Sequence, residues 1–171
     1  MKQQEALCKE LGDNRGLSES LGNQAAILIV WRRFEEAIKY LKQVETFCKE
    51  FGDKASLSAC LGNQAMILAE CGQFEEAMKY YTQVEFICKE IGYKEGLART
   101  FFNQAILLTK DMRRPQDGLL LAQKAFDISV EHGFKALSRQ IKWTMYFINA
   151  AAQADKIKSY FRKIFSFLNN Y

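Results

Sequence analysis

The sequence predicts an all-α chain built from antiparallel helix pairs stacked side by side, and three observations carry that prediction. A block recurs with a period of 40 residues: aligning 11–50 with 51–90 without gaps gives 23 identities in 40. Apolar residues inside a block recur at helical spacing, as Leu57, Leu61, Ala65 and Leu68 do. A single Pro in 171 residues, with 10 Gly, leaves long stretches free of helix breakers. The composition, 49% apolar and 26% charged, suits a globular chain with a true core and excludes disordered, collagen-like and disulfide-scaffold classes.

The elements follow in order. Residues 3–10 (QQEALCKE) are a worn copy of QVETFCKE at 43–50 and QVEFICKE at 83–90, so 1–11 reads as the end of a second-type helix whose partner is missing. This suggests a piece cut from a longer array, with Met1 a cloning start. The first full block, 12–52, has Asp13 as a helix N-cap, LGNQA at 21–25 and FEEA from Phe34. The second, 53–92, begins at Asp53, breaks at Cys71-Gly72-Gln73 and resumes near Phe74. Ala77, Tyr81, Val84, Cys88 and Ile91 share one face of that second helix. Glu75 and Glu76 in its first turn and Lys89 in its last suit the helix dipole. Gly12, Gly52, Gly92 and Gly133 are placed to end helices in the left-handed conformation. Small Ala65 and Ala77 sit where the two helices of a block approach closely.

The third block, 93–133, repeats FFNQA at 101–105 but carries one extra residue in KDMRRPQDG at 110–118. Pro115 falls at the start of its second helix, where a missing N–H costs nothing, and Gly118 replaces the Ala37 and Ala77 of the earlier blocks. Beyond Gly133 the pattern blurs. Residues 135–152 read as one more first-type helix, and 155–168 as a last helix striped by Ile157, Tyr160, Phe161, Ile164 and Leu168, together a divergent end at 134–171.

A first helix with L-x-x-x-A-x-x-L, a turn Gly, then an aromatic followed by E-E-A and a second amphipathic helix resembles the tetratricopeptide repeat. The resemblance covers about 11–150. It implies a right-handed superhelical α-solenoid of about four repeats. The 40-residue period is similar to the extended variety of kinesin light chains, LGN/Pins adaptors and bacterial multi-repeat proteins. Arg32 departs from the pattern by standing where the turn Gly belongs.

Little in the sequence supports catalysis. Five cysteines include no C-x-x-C, and the single histidine, His132, stands near a helix end, so no metal site and no cofactor are expected. No G-x-S-x-G, phosphate-binding Gly loop or H-E-x-x-H occurs. The Glu35-Glu36 and Glu75-Glu76 pairs travel with the packing motif and read as solvated first-turn charges. The cysteines read as free thiols packed in a reducing, cytoplasmic compartment. No apolar run approaches the roughly 18 residues of a membrane span, and the polar MKQQEALCKE start has no signal-peptide core. The chain is expected to be neither an enzyme nor a membrane protein.

Stacked helix pairs curve, and their first helices line the concave side. Asn23, Asn63 and Asn103 recur there, each before Gln-Ala, and an amide can both donate to and accept from the backbone of an extended peptide. The resemblance implies the same use, since groove asparagines at matching places act this way in such relatives. The alternative is that each Asn bonds a neighbouring helix within the stack. One turn further lie Ala26, Met66 and Ile106, and Gly22, Gly62 and Phe102 precede the asparagines. The face thus grows bulkier toward the third block, with Met66, Phe102 and Ile106 as an apolar anchor site. Arg99 and Lys110 are placed to meet an acidic side chain or a C-terminal carboxylate, Glu19 and Glu70 lie further out, and inter-repeat salt bridges are the competing role.

Arg32-Arg33, Arg113-Arg114 and the basic last helix lack interleaved stacking aromatics, so nucleic acid is not the expected partner. The expected function is a protein-interaction scaffold that takes an extended peptide or partner segment in its groove. The rival is a sensor domain binding a small peptide or metabolite and controlling an effector outside this chain. Self-association through the open repeat end at 1–11 is a third reading. Charge is uneven: residues 1–90 hold 11 basic and 14 acidic side chains and 91–171 hold 13 and 6, which suits head-to-tail stacking or an acidic partner on the C-terminal half.

Overall fold

The computed structural model describes residues 14–168, with side chains described for 16–150, 152 and 153. The expected helix at 1–11, Gly12 and Asp13 lie outside them. Every described element is a helix: α1 Asn14–Val30, α2 Phe34–Phe51, α3 Lys54–Glu70, α4 Phe74–Glu90, α5 Lys94–Lys110, α6 Pro115–Glu131 and α7 Lys135–Leu168. Consecutive helices pack on one another in the manner of a tetratricopeptide-like α-solenoid. The chain divides into two compact units, Met1–Thr100 and Phe101–Tyr171, with the division falling inside α5.

In the first unit α1 packs on α2, α2 on α3 and α3 on α4, while α1 also touches α3. That α1–α3 contact is what makes two first-type helices neighbours. The core runs through Leu17, Leu21, Ala25 and Leu28 of α1 and Ala37, Leu41, Val44 and Cys48 of α2, both at spacings of three or four that put one stripe of each helix inside. Ala65 and Ala77 are fully buried, as close approach of α3 and α4 requires.

Local signals end these helices where the sequence places the ends. Asp53 accepts the Ser56 N–H at 3.0 Å, satisfying one orphan donor of α3. Gly52, Gly92 and Gly133 take φ of 68°, 68° and 74°, and the Asp53, Tyr93 and Phe134 amides close back onto the Cys48, Cys88 and Ser129 carbonyls. The turn between α1 and α2 uses the same left-handed geometry without glycine: Arg32 has φ 59° where the next block has Gly72 at 78°. Arg32 is held by Glu70 at 3.1 Å and lies over the Phe34 ring at 5.2 Å.

Repeats are also joined by a polar contact that the recurrence of Asn-Gln-Ala conceals. The Gln64 amide nitrogen on α3 donates to Glu45 on α2 at 2.8 Å, and the Cys60 thiol donates to the Leu41 carbonyl at 3.0 Å. Burial raises the Glu45 pKa, but the Gln64 bond and the Lys49 cation outweigh it and hold the carboxyl below its ordinary value of 4.5.

In the second unit α6 packs on α7. Pro115 opens α6, as its position predicts. Gly118 is buried, and a methyl added there would lie 2.8 Å from the Ala105 carbonyl and closer still to the Thr109 hydroxyl. The expected break between 152 and 155 does not exist: α7 is one helix of 34 residues. Its NAAAQADK stretch at 149–156 contains no Gly or Pro and four alanines, the best helix former, so nothing local stops it. The stripe from Ile157 to Leu168 lies outside the described side chains.

Candidate functional site

A groove of about 880 Å³ opens in the first unit. Ser18, Glu19, Gly22, Asn23 and Ala26 of α1 form one wall, and Asp53, Ser56, Ala59, Cys60 and Asn63 of α3, with its cap, form the other. Leu41, Val44, Phe47, Cys48 and Phe51 of α2 supply the floor and one end. The wall positions repeat at 40 residues, since Gly22, Asn23 and Ala26 match Gly62, Asn63 and Met66. Leu41, Val44 and Cys48 are buried, so the apolar surface still open to a ligand belongs chiefly to Phe51, 59% exposed, and half-buried Phe47. A methyl on Gly22 would meet nothing within 4 Å, which leaves that wall low and open.

Asn23 is exposed and Asn63 half-buried, and neither amide is hydrogen-bonded to a described group. The stacking bond falls to the next residue instead, Gln64 to Glu45. The amides of Asn23 and Asn63 therefore face the groove with their donors and acceptors unspent. Asn103, half-buried, lies on α5 in the second unit, as do Phe102, Ile106 and Lys110.

Several expected anchors sit differently. Phe102 is 4% exposed and cannot present a ring to a partner; α5 buries Leu97, Ala98, Phe101, Phe102, Ala105, Leu107 and Leu108, so it is enclosed on more than one side. Ile106 is half-buried, and Met66, 36% exposed on α3, is not among the residues lining the first-unit groove. Arg99 is exposed and forms an ion pair with Glu95 of its own helix at 2.7 Å. Lys110 is exposed. Glu70 bonds Arg32 at 3.1 Å, an inter-repeat bridge of the kind given as the competing role for the outer charges.

Groove residues that the sequence reading does not place there include Ser18, Phe47, Phe51, Asp53 and Ser56. For Phe47 and Phe51 the signal lies in register, since they are one turn apart on α2 on the side away from its exposed lysines, in a helix whose repeated motif points to packing. Titratable groups near the groove are arranged for packing. Burial raises the Cys48 thiol pKa, and pushes Cys60 up to about 12, so both stay protonated. Cys48, Cys60 and Cys88 are free and buried, while Cys71 is free and exposed. His132 terminates α6 and stands 4.0 Å from Glu131. Among the described residues no group of three or more His, Cys, Asp or Glu could hold a metal, and no helix is long and apolar enough to cross a membrane.

A search of curated proteins finds no match to this chain. Residues 58–85, which run from α3 across the Cys71–Gln73 turn into α4, match the tetratricopeptide repeat family model. The helix pair that carries Asn63 is thus similar, in sequence as in fold, to a tetratricopeptide repeat.

Proposed function

We propose that the chain is a protein-interaction module whose first-unit groove takes an extended segment of a partner protein. The tetratricopeptide match supports a protein partner in general terms. The observation that carries the finer reading is the pair Asn23 and Asn63, one repeat apart on facing walls of one groove, with neither amide committed to the fold. An extended peptide presents its own N–H and C=O groups along its length, and two fixed amides satisfy them without regard to side-chain identity. The narrow apolar surface at Phe47 and Phe51 then supplies a place for one side chain. Free thiols at Cys48, Cys60 and Cys88 suit a reducing compartment such as the cytoplasm.

The test is selection from a displayed library of random decapeptides, followed by affinity measurement on the peptides recovered. Asn23→Ala with Asn63→Ala should weaken binding at least about tenfold, since two hydrogen-bonding groups at roughly 1 kcal/mol each are lost. The melting temperature should barely move, because those amides bond no described group of the fold. Unchanged affinity in the double variant would overturn the proposal.

A further inference from the structure

Helix α7 keeps one face of a first-type helix and has lost another. Aligned on Gly92 and Gly133, its Ile141 and Ile148 match Thr100 and Leu107 of α5, and all four are buried. Leu61 and Ala65 of α3 and Phe101 and Ala105 of α5 are buried too, but their counterparts in α7, Lys142 and Tyr146, are exposed. A tyrosine in the place of Ala65 blocks the close approach that α3 and α4 make, so this face does not seat another second-type helix of the repeat. It is aromatic and basic instead. Trp143, Tyr146 and Phe147 are 65%, 69% and 67% exposed, at the i, i+3, i+4 spacing of one helix side. They leave roughly 400 Å² of ring surface in water, a patch of the size that marks interaction sites on monomers. Arg139 and Lys142 flank the rings, are exposed and engage no described group. Seven Lys or Arg but a single acid, Asp155, stand on α7. Asp155 is three and a half turns from Lys142, about 20 Å along the helix.

We propose that this face of α7 docks an acidic amphipathic helix of a partner protein. Rings one turn apart form ridges that a second helix covers with its apolar stripe. Carboxylates beside that stripe reach Arg139 and Lys142 and make charge-assisted hydrogen bonds that the fold leaves unmade. A second copy of the chain fits worse, because two α7 helices would set seven cations against seven. Single-stranded RNA calls for ring faces open to stacking, whereas Tyr146 and Phe147 stand edge to face, 5.9 Å apart at 81°. The surface lies wholly in the second unit and stands apart from the first-unit groove.

The probe is a displayed library of helix-forming peptides randomised on one side, selected on the wild-type chain and counter-selected on Trp143→Ser with Tyr146→Ser and Phe147→Ser. Peptides that survive should carry Asp and Glu over Lys and Arg by at least about fivefold relative to the input. Their affinity should fall about tenfold or more for Arg139→Glu with Lys142→Glu, and less so in high salt. It should not change for Asn23→Ala with Asn63→Ala, which separates this surface from the groove. With Trp31→Phe, Trp143 is the one tryptophan left, and its emission should shift to the blue as a peptide covers it. The five α7 positions are exposed, and circular dichroism melts check that each variant folds. No peptide enriched over the triple variant, survivors without acidic residues, or affinity indifferent to the charge reversal would overturn the proposal. So would a dimer in sedimentation velocity, or binding of oligouridine or of phosphatidylserine vesicles, that the triple variant abolishes, since the face would then belong to that occupant.

Discussion

Helices α3 and α4 cross through Ala65 and Ala77, with Ala69 a turn along, whereas the matching crossing of α5 and α6 has Ala105, Gly118 and Thr109. The second pair has lost a methyl on one helix and gained a hydroxyl-bearing side chain on the other. Thr109 donates to the Ala105 carbonyl at 2.9 Å, in the space that a Cβ at position 118 would claim. The turns differ in the same spirit. Gly72 sits without strain in the left-handed region between α3 and α4, while Arg113, between α5 and α6, is forced there with φ 54°. A shared backbone path is therefore held by packing along the whole helix pair, and individual positions drift so long as a neighbour compensates.

The largest expected difference between the two pairs is their response to alkali. Burial pushes Cys60 from 9.0 to about 12 and Tyr81 from 10.0 to about 12, and both belong to α3–α4. The matching positions in the next pair, Thr100 and Ala122, do not titrate. Because the folded values lie above the unfolded ones, this stability is fully present below about pH 9 and is lost as pH rises toward 12. The loss should reach a few kcal/mol, on the order of 3, by about pH 11. Urea midpoints measured from pH 7.5 to 11 should fall for the wild type and fall less for Cys60→Ala with Tyr81→Phe. An unchanged midpoint in the wild type would show that these groups are not desolvated in solution.

Next in size is the crossing itself. Gly118→Ala should destabilise by about 2 kcal/mol, the overpacking cost outweighing roughly 1 kcal/mol of helix propensity gained. Adding Thr109→Ala should recover part of it, leaving the contact with the Ala105 carbonyl. A neutral Gly118→Ala would erase the distinction between the two crossings. The smallest effect separates the two arginine turns. Arg113 makes no hydrogen bond or ion pair with a described residue, so Arg113→Gly should stabilise by about 1 kcal/mol through relief of left-handed strain. Arg32→Gly gains the same relief but loses the Glu70 bridge and the Phe34 contact, each worth about 0.5 kcal/mol when exposed, and should come out near zero. Equal shifts in the two variants would show that the Arg32 contacts contribute nothing.

Features decided within a few residues were legible in the sequence. Asp53 as a cap, Gly52 and Gly92 as left-handed ends and Pro115 as a first residue each depend on local backbone chemistry, and the 40-residue period announced the helix pairs. What escaped depended on two bodies. Gln64 and Glu45 are 19 residues apart, and the eye is drawn to the asparagine beside Gln64. Phe102 follows Phe101 on a helix enclosed on several sides, so adjacency to Asn103 says nothing of exposure. A fading pattern predicts a break near 153, but a helix ends at a breaker or a cap, and the sequence offers neither there. Of the groove, the recurrent asparagines were visible, and the aromatic end on α2 was not.

The bond from Gln64 to Glu45 has a consequence for ancestry. The first two blocks carry an acid on the second helix, Glu45 and Glu85, and all three carry an amide on the first, Gln24, Gln64 and Gln104. Yet of the pairs Glu45–Gln64 and Glu85–Gln104 it is the first that bonds, while Glu85 pairs with Lys89 of its own helix. A copy of either of the first two blocks therefore arrives with an amide at one edge and an acid at the other. The 23 identities between adjacent blocks mark the two as copies, and the second junction, where the Gln104 oxygen is buried without a described partner, shows that copying hands on the residues while the local packing decides whether the bond is made.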